Sequence, residues 1–197
     1  MPTGELQQAL SLLVSALESL EIPYYIGGSV ASSVFGLPRS TMDIDIVADI
    51  KKSNVKDLTV ILQNDYYIDP DVIIKAIERK SSFNLIHFDT MMKIDIFILK
   101  DRPFDRMAFK RKKIDSVGEE PCVASFYFSS EEDIIISKLE WYMLGGEVSE
   151  RQWKDLIGVL KIQGDRLDFN YLKKWAEDLG LSVLLDKAIN EVSARET

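Results

Sequence analysis

Gly27-Gly28-Ser29, followed thirteen residues later by Asp43-Ile44-Asp45, constrains this chain more than any other feature. Tyr24-Tyr25-Ile26 is short, aromatic and β-branched, and Val30 to Phe35 reads as the first turns of a helix, so the glycines sit at a strand-to-helix junction. Glycine there permits positive φ and close approach of a ligand, and the free N–H groups of the following helix favour an anion. Ser29 adds a hydroxyl for a phosphate oxygen. In Met42-Asp43-Ile44-Asp45-Ile46-Val47 side chains alternate faces, so Asp43 and Asp45 share one side while Ile44 and Ile46 take the other. Two carboxylates with no cationic neighbour repel each other, and a divalent cation would neutralise them. Hard oxygen ligands select Mg²⁺ or Mn²⁺ over zinc. Turn and strand together are the parts of a metal-dependent nucleotide site.

A chain of 197 residues can bury a substantial core, as one domain with an appendage or as two small domains. No apolar run approaches the roughly 20 residues that cross a bilayer, and no export signal is read at the start, so a cytoplasmic protein with no membrane partner is expected. The single Cys122 cannot form an intrachain disulfide and lacks partners for a structural zinc site. A net charge of −8 argues against a protein that coats nucleic acid. There is a single histidine, which excludes chemistry depending on several; it is His87, in the apolar run Leu85 to Phe88, and it is expected to be buried.

Leu6, Leu10, Leu13, Leu17 and Leu20 are spaced for an amphipathic helix that Pro23 terminates. Residues 52 to 63 look helical, and Asp69-Pro70-Asp71 opens another helix to about Arg79. Ser82 to Phe88 and Met92 to Leu99 read as strands joined by a turn at Asp89-Thr90. The second of these repeats the acidic theme: Lys93-Ile94-Asp95-Ile96-Phe97 places Asp95 beside Asp43 and Asp45 if the two strands are neighbours. Residues 102 to 113 are basic and begin as a helix, with strands expected at 112–117 and 122–128. Ser129-Ser130-Glu131-Glu132-Asp133 caps a helical remainder, with spans near 131–143, 149–162, 168–178 and 181–193.

These residues resemble the nucleotidyltransferase superfamily of the DNA polymerase β type, whose signature joins a Gly-Gly or Gly-Ser turn, an Asp-x-Asp strand and a third acidic strand. Gly27, Gly28, Ser29, Asp43, Asp45 and Asp95 each fill a position of that signature. Arg39 before Asp43, with Lys138-Leu139, Arg151 and Lys154-Asp155-Leu156, is similar to motifs of the AbiEii-like toxin branch. The resemblance covers roughly residues 20 to 160. It implies an α/β (α+β) fold, a mixed twisted sheet flanked by helices, with a nucleotidyltransferase domain at 1–128 and a helical C-terminal domain at 129–197.

It implies further that an NTP binds as its Mg²⁺ or Mn²⁺ complex and that an NMP passes to an acceptor hydroxyl with loss of pyrophosphate. Asp43, Asp45 and Asp95 would be the metal ligands and catalytic groups, with Asp95 assisting deprotonation of the acceptor. Gly27, Gly28, Ser29, Arg39, Lys138 and Asp155 would bind the nucleotide. RNA, such as a tRNA end, or a protein hydroxyl is the acceptor class, and a cognate antitoxin is the protein partner. Apart from the resemblance, Lys138 lies within or beside the inward stripe of its helix, where a triphosphate would offset its charge. Asp155 lies opposite the Trp153, Leu156, Ile157, Leu160 stripe and can orient Lys138 or the base.

Plainer readings stand beside these. The glycines make an ordinary turn, the carboxylates a solvated strand face, Arg39 pairs with an acid, and the Lys138 stem snorkels along apolar surface. Arg151 and Asp155, four apart on a helix, can bridge each other. Lys100, Arg102, Arg106, Lys110, Arg111, Lys112 and Lys113 form a basic cluster, either a solvated face or a contact for an RNA backbone. Two further functions remain open: an aminoglycoside-type small-molecule nucleotidyltransferase, and a nucleotide-binding or interaction module without turnover.

Overall fold

The computed structural model describes residues 3–41, 43–117 and 124–194; Met42, Cys122 and the start of the strand expected at 122–128 lie outside them. In chain order the elements are α1 (Thr3–Ser19), β1 (Tyr24–Ile26), α2 (Gly28–Phe35), β2 (Asp43–Ala48), α3 (Val55–Leu62), β3 (Tyr66–Tyr67) and α4 (Pro70–Arg79). They continue as β4 (Ser82–His87), β5 (Lys93–Ile98), α5 (Pro103–Arg111), β6 (Lys113–Val117), β7 (Ala124–Phe128), α6 (Glu131–Leu144), α7 (Glu150–Gln163), α8 (Phe169–Asp178) and α9 (Ser182–Ala194). The chain divides into two compact units, one of residues 1–27 and 40–128, the other of residues 28–39 and 129–197.

The first unit carries a seven-stranded mixed sheet in the order β3-β4-β5-β2-β1-β7-β6. The β2–β5 and β1–β7 pairs are parallel and the others antiparallel. Apolar alternation sets the central register: Ile44 faces Ile94 and Ile46 faces Ile96 across β2 and β5, and all four are fully buried. Burying each contributes about 1.5–3 kcal/mol, and a slip by one residue would turn the whole isoleucine row to solvent. The same register sets Asp45 opposite Asp95 on the other face. Leu6, Leu10, Leu13 and Leu17 bury the inner side of α1 against β7 and α3, whereas Leu20 lies past the end of the helix and is half-exposed. Asp69 caps α4, its side chain accepting from the N–H groups of Asp71 and Val72. His87 is buried, its ring 5.0 Å from that of Tyr66 and its Nδ1 2.8 Å from Thr90 Oγ1. This is the packing role its apolar surroundings predict.

The second unit is helical: α2 packs on α6 and α7, α6 on α7 and α8, and α9 on α7 and α8. Ser130 caps α6 by accepting from the Asp133 N–H. Gly36, just past α2, lies so close to α7 that a Cβ there would stand 2.8 Å from the Val159 nitrogen and 2.9 Å from the Gly158 carbonyl carbon. That close approach, not a turn, is what requires a glycine at 36.

Candidate active site

The acidic face belongs to the first unit. Along β2 the exposure alternates, Asp43 exposed, Ile44 buried, Asp45 half-buried and Ile46 buried; along β5 Lys93 and Asp95 are half-buried and Ile94 and Ile96 buried. Asp43, Asp45, Lys93 and Asp95 thus share one face, with Asp43 opposite Lys93 and Asp45 opposite Asp95 on strands about 4.8 Å apart. The third carboxylate joins the other two as the sequence predicts. Gly27 is tied to the same strand, its N–H donating to the Asp45 carbonyl at 2.9 Å.

The expectation that these carboxylates have no cationic neighbour is not met. Lys93 Nζ donates to Asp95 Oδ2 at 2.8 Å. That hydrogen bond lifts the ammonium above the ordinary lysine range, against the opposing effect of burial, and the charges of Asp95, Asp43 and Asp45 add to it. The signal was in the alternation, since Lys93 is two residues from Asp95 on one strand and must share its face. Among the described residues no three or more His, Cys, Asp or Glu side chains are gathered for a metal ion as they lie, and one Asp95 oxygen is engaged by the lysine. The donor set nevertheless suits a hard divalent cation, being all carboxylate oxygen, and the ammonium is a stand-in cation on it.

The second unit holds the other residues singled out in the sequence. Gly28, at φ 55°, supplies the left-handed turn; Gly27 does not have positive φ. One residue on, Ser29 Oγ accepts from Arg39 Nη2 at 2.5 Å. The same guanidinium forks onto Asp155, Nε to Oδ1 at 2.6 Å and Nη2 to Oδ2 at 2.9 Å, and Lys138 Nζ donates to Asp155 Oδ2 at 2.8 Å. Asp155, expected opposite the apolar stripe of its helix, is itself buried, as is Lys138, whose ammonium meets this carboxylate. Arg151 is exposed, and Asp155 turns to Arg39 and Lys138 rather than to it. Burial alone would push the Asp155 carboxyl up, but hydrogen bonds from Arg39 and Lys138 outweigh it and hold the group below the usual carboxylate range. It is therefore an anion fixing two cations, one of which, Arg39, also bonds Ser29 at the start of α2.

Beside this cluster, within the second unit, lies a cavity of about 750 Å³ whose lining includes Arg39, Asp155, Tyr142, Trp153, Lys187 and Glu191. Trp153 is held from two sides, its Nε1 donating to Glu191 at 2.8 Å and the Lys187 ammonium lying 4.7 Å above its ring. The basic cluster at 100–113, in the first unit, is partly neutralised: Arg102 pairs with Asp105 and Arg106 with Asp101, while Lys112 lies over the Phe109 and Tyr127 rings.

The sequence matches no protein-family model and no curated protein. Solved structures are similar. The antibiotic-resistance factor ANT(2'')-Ia superposes over 100% of both chains with a TM-score of 0.53 at 15% identity. An antigenic nucleotidyltransferase-like protein from Paracoccidioides brasiliensis aligns over 95% of this chain and 93% of its own, with a TM-score of 0.51 at 18% identity. The chain has the nucleotidyltransferase fold. In a nucleotidyltransferase fold the expected mixed sheet with flanking helices is present, and among the described residues no helix is long and apolar enough to cross a membrane.

Proposed function

We propose that this protein is a metal-dependent nucleotidyltransferase that moves an NMP from an NTP to an acceptor hydroxyl. The observation that carries the reading is the register pairing of Asp45 with Asp95, with Asp43 on the same face of the adjoining strand. Asp43, Asp45 and Asp95 would hold Mg²⁺ or Mn²⁺, which would supply positive charge to the phosphoryl oxygens and to the ionised acceptor. In the transfer, the acceptor oxygen bonds to the α-phosphorus as the bond to the β-phosphate oxygen breaks. Pyrophosphate leaves, and Asp95 assists removal of the hydroxyl proton. Gly27, Gly28 and Ser29 serve the phosphates, and Arg39, Lys138 and Asp155 serve the nucleotide as a fixed charge cluster.

The acceptor proposed is RNA or a protein hydroxyl, with the protein acting as an AbiEii-like toxin kept in check by an antitoxin. Its support is the motif set Arg39, Lys138-Leu139, Arg151 and Lys154-Asp155-Leu156, of which Arg39 and Lys138 both bond to Asp155 while Arg151 is exposed. A small hydroxylated acceptor is the second reading, favoured by the cavity of about 750 Å³, a small-molecule size, lined by both acidic and basic side chains. The likeness in fold to an antibiotic-resistance factor over the whole chain also supports it.

Incubation with each α-labelled NTP, Mg²⁺ and either total RNA, the protein itself or a panel of aminoglycosides separates these acceptors. Label should move to one class and the Asp45→Asn variant should lose it. Transfer at the wild-type rate in that variant would exclude the mechanism.

A further inference from the structure

Lys93 sits where a counter-ion is needed, yet it is not buried like Lys138. Its side chain is 44% exposed and that of Asp95 23%, against 5% for Lys138. An ion pair so exposed contributes little, of order 0.2–1 kcal/mol, and its lysine can turn to water at small cost. The parallel register puts Lys93 opposite Asp43, and strand alternation puts it on the face of Asp45 and Asp95, so one ammonium serves three carboxylates. A single positive charge does not balance three carboxylates. A divalent cation bound by the same carboxylates would need the Asp95 oxygen that now accepts from Lys93 at 2.8 Å.

We propose, resting on the metal-dependent reading above, that Lys93 is a built-in competitor of the metal: it holds Asp95 in place while no cation is bound and must release it for the ion to enter. The arrangement keeps the acidic strands from repelling each other in the metal-free protein and makes the affinity for free divalent ions modest. Lys93 is on this account a positioning residue, acting through Asp95.

The test is Mn²⁺ binding to the full chain, followed by the EPR signal of the free ion, for wild type, Lys93→Gln, Lys93→Met, Lys93→Arg and Asp45→Asn. Lys93→Gln and Lys93→Met should bind Mn²⁺ about fivefold more tightly than wild type, the worth of an exposed ion pair, and Lys93→Arg within about twofold of it. Without metal, the Gln and Met variants should unfold at lower temperature than wild type, and saturating Mn²⁺ should raise their midpoints by more than it raises that of wild type. Unchanged or weaker Mn²⁺ binding in both neutral variants, with binding still lost in Asp45→Asn, overturns the role of Lys93 and leaves the metal site standing. No saturable Mn²⁺ binding in any variant, or wild-type binding in Asp45→Asn, overturns the metal site itself and the competition with it.

Discussion

Replacing Asp155 by alanine tests whether the second unit is organised around one buried anion. The Asp155 and Lys138 side chains are 4% and 5% exposed, and Arg39 is 27% exposed. Removing the carboxylate takes from Lys138 its bond at 2.8 Å and from Arg39 both arms of its fork. Breaking such a buried pair from one side costs about 3–5 kcal/mol, because the cation stays in a medium that solvates it poorly. Lys138→Met should cost less, about 2 kcal/mol, the worth of one charge-assisted hydrogen bond, since Asp155 keeps the guanidinium. In the double variant the buried ammonium is gone and Arg39 can turn to water. The loss should then be about 4 kcal/mol, which leaves a coupling of about 2 kcal/mol between the two sites. Urea unfolding of the four proteins at pH 7, followed by circular dichroism, measures each term. A double variant whose loss equals the sum of the singles to within about 0.5 kcal/mol would refute the claim that Lys138 depends on Asp155.

The depressed Asp155 carboxyl gives a stability that is fully present above its unfolded value of about 3.9 and is lost as pH falls towards the lower folded value. The stability gap between wild type and Asp155→Asn should therefore narrow below about pH 4 in a urea series; a gap that widens on acidification would contradict the sign. Gly36→Ala places a methyl group 2.8 Å from backbone atoms and should cost about 1–3 kcal/mol, seen as a lower thermal midpoint. The buried Tyr66 hydroxyl donates to the Ala9 carbonyl at 2.8 Å, so Tyr66→Phe should lose about 1 kcal/mol in chemical unfolding with little change in m-value.

Much of the architecture was legible because it rests on local patterns. Ile44, Ile46, Ile94 and Ile96 declare two half-buried strands by alternation alone, and Asp69 before Pro70 marks the start of α4 at the right residue. Strand β3 is invisible in the sequence because Tyr66-Tyr67 is too short for any period to show; it exists through pairing with Ile86 and His87. The acidic face was legible for the same reason as the strands, and the alternation that selects Asp95 selects Lys93 as its neighbour too. The bond of Lys138 to Asp155 is one of the two roles the sequence offers for Asp155, whereas the partner of Arg39 could not be read. Asp155 is 116 residues from Arg39, and helical periodicity put it on the wrong side, because a carboxylate bonded to two cations can occupy a buried position that the pattern reserves for apolar side chains. The grouping of residues 28–39 with the C-terminal helices is likewise a matter of packing, set by the contact of Gly36 with α7.

The central claim is that Asp43, Asp45 and Asp95 together hold a divalent cation. A crystal soaked in Mn²⁺ and an NTP, with data collected at the manganese absorption edge, tests it most directly. The account predicts anomalous density about 2.1 Å from oxygens of all three carboxylates, with the Lys93 ammonium withdrawn from Asp95. Manganese bound elsewhere, or a nucleotide seated with Asp95 still bonded to Lys93 and no metal on the acidic face, would contradict it.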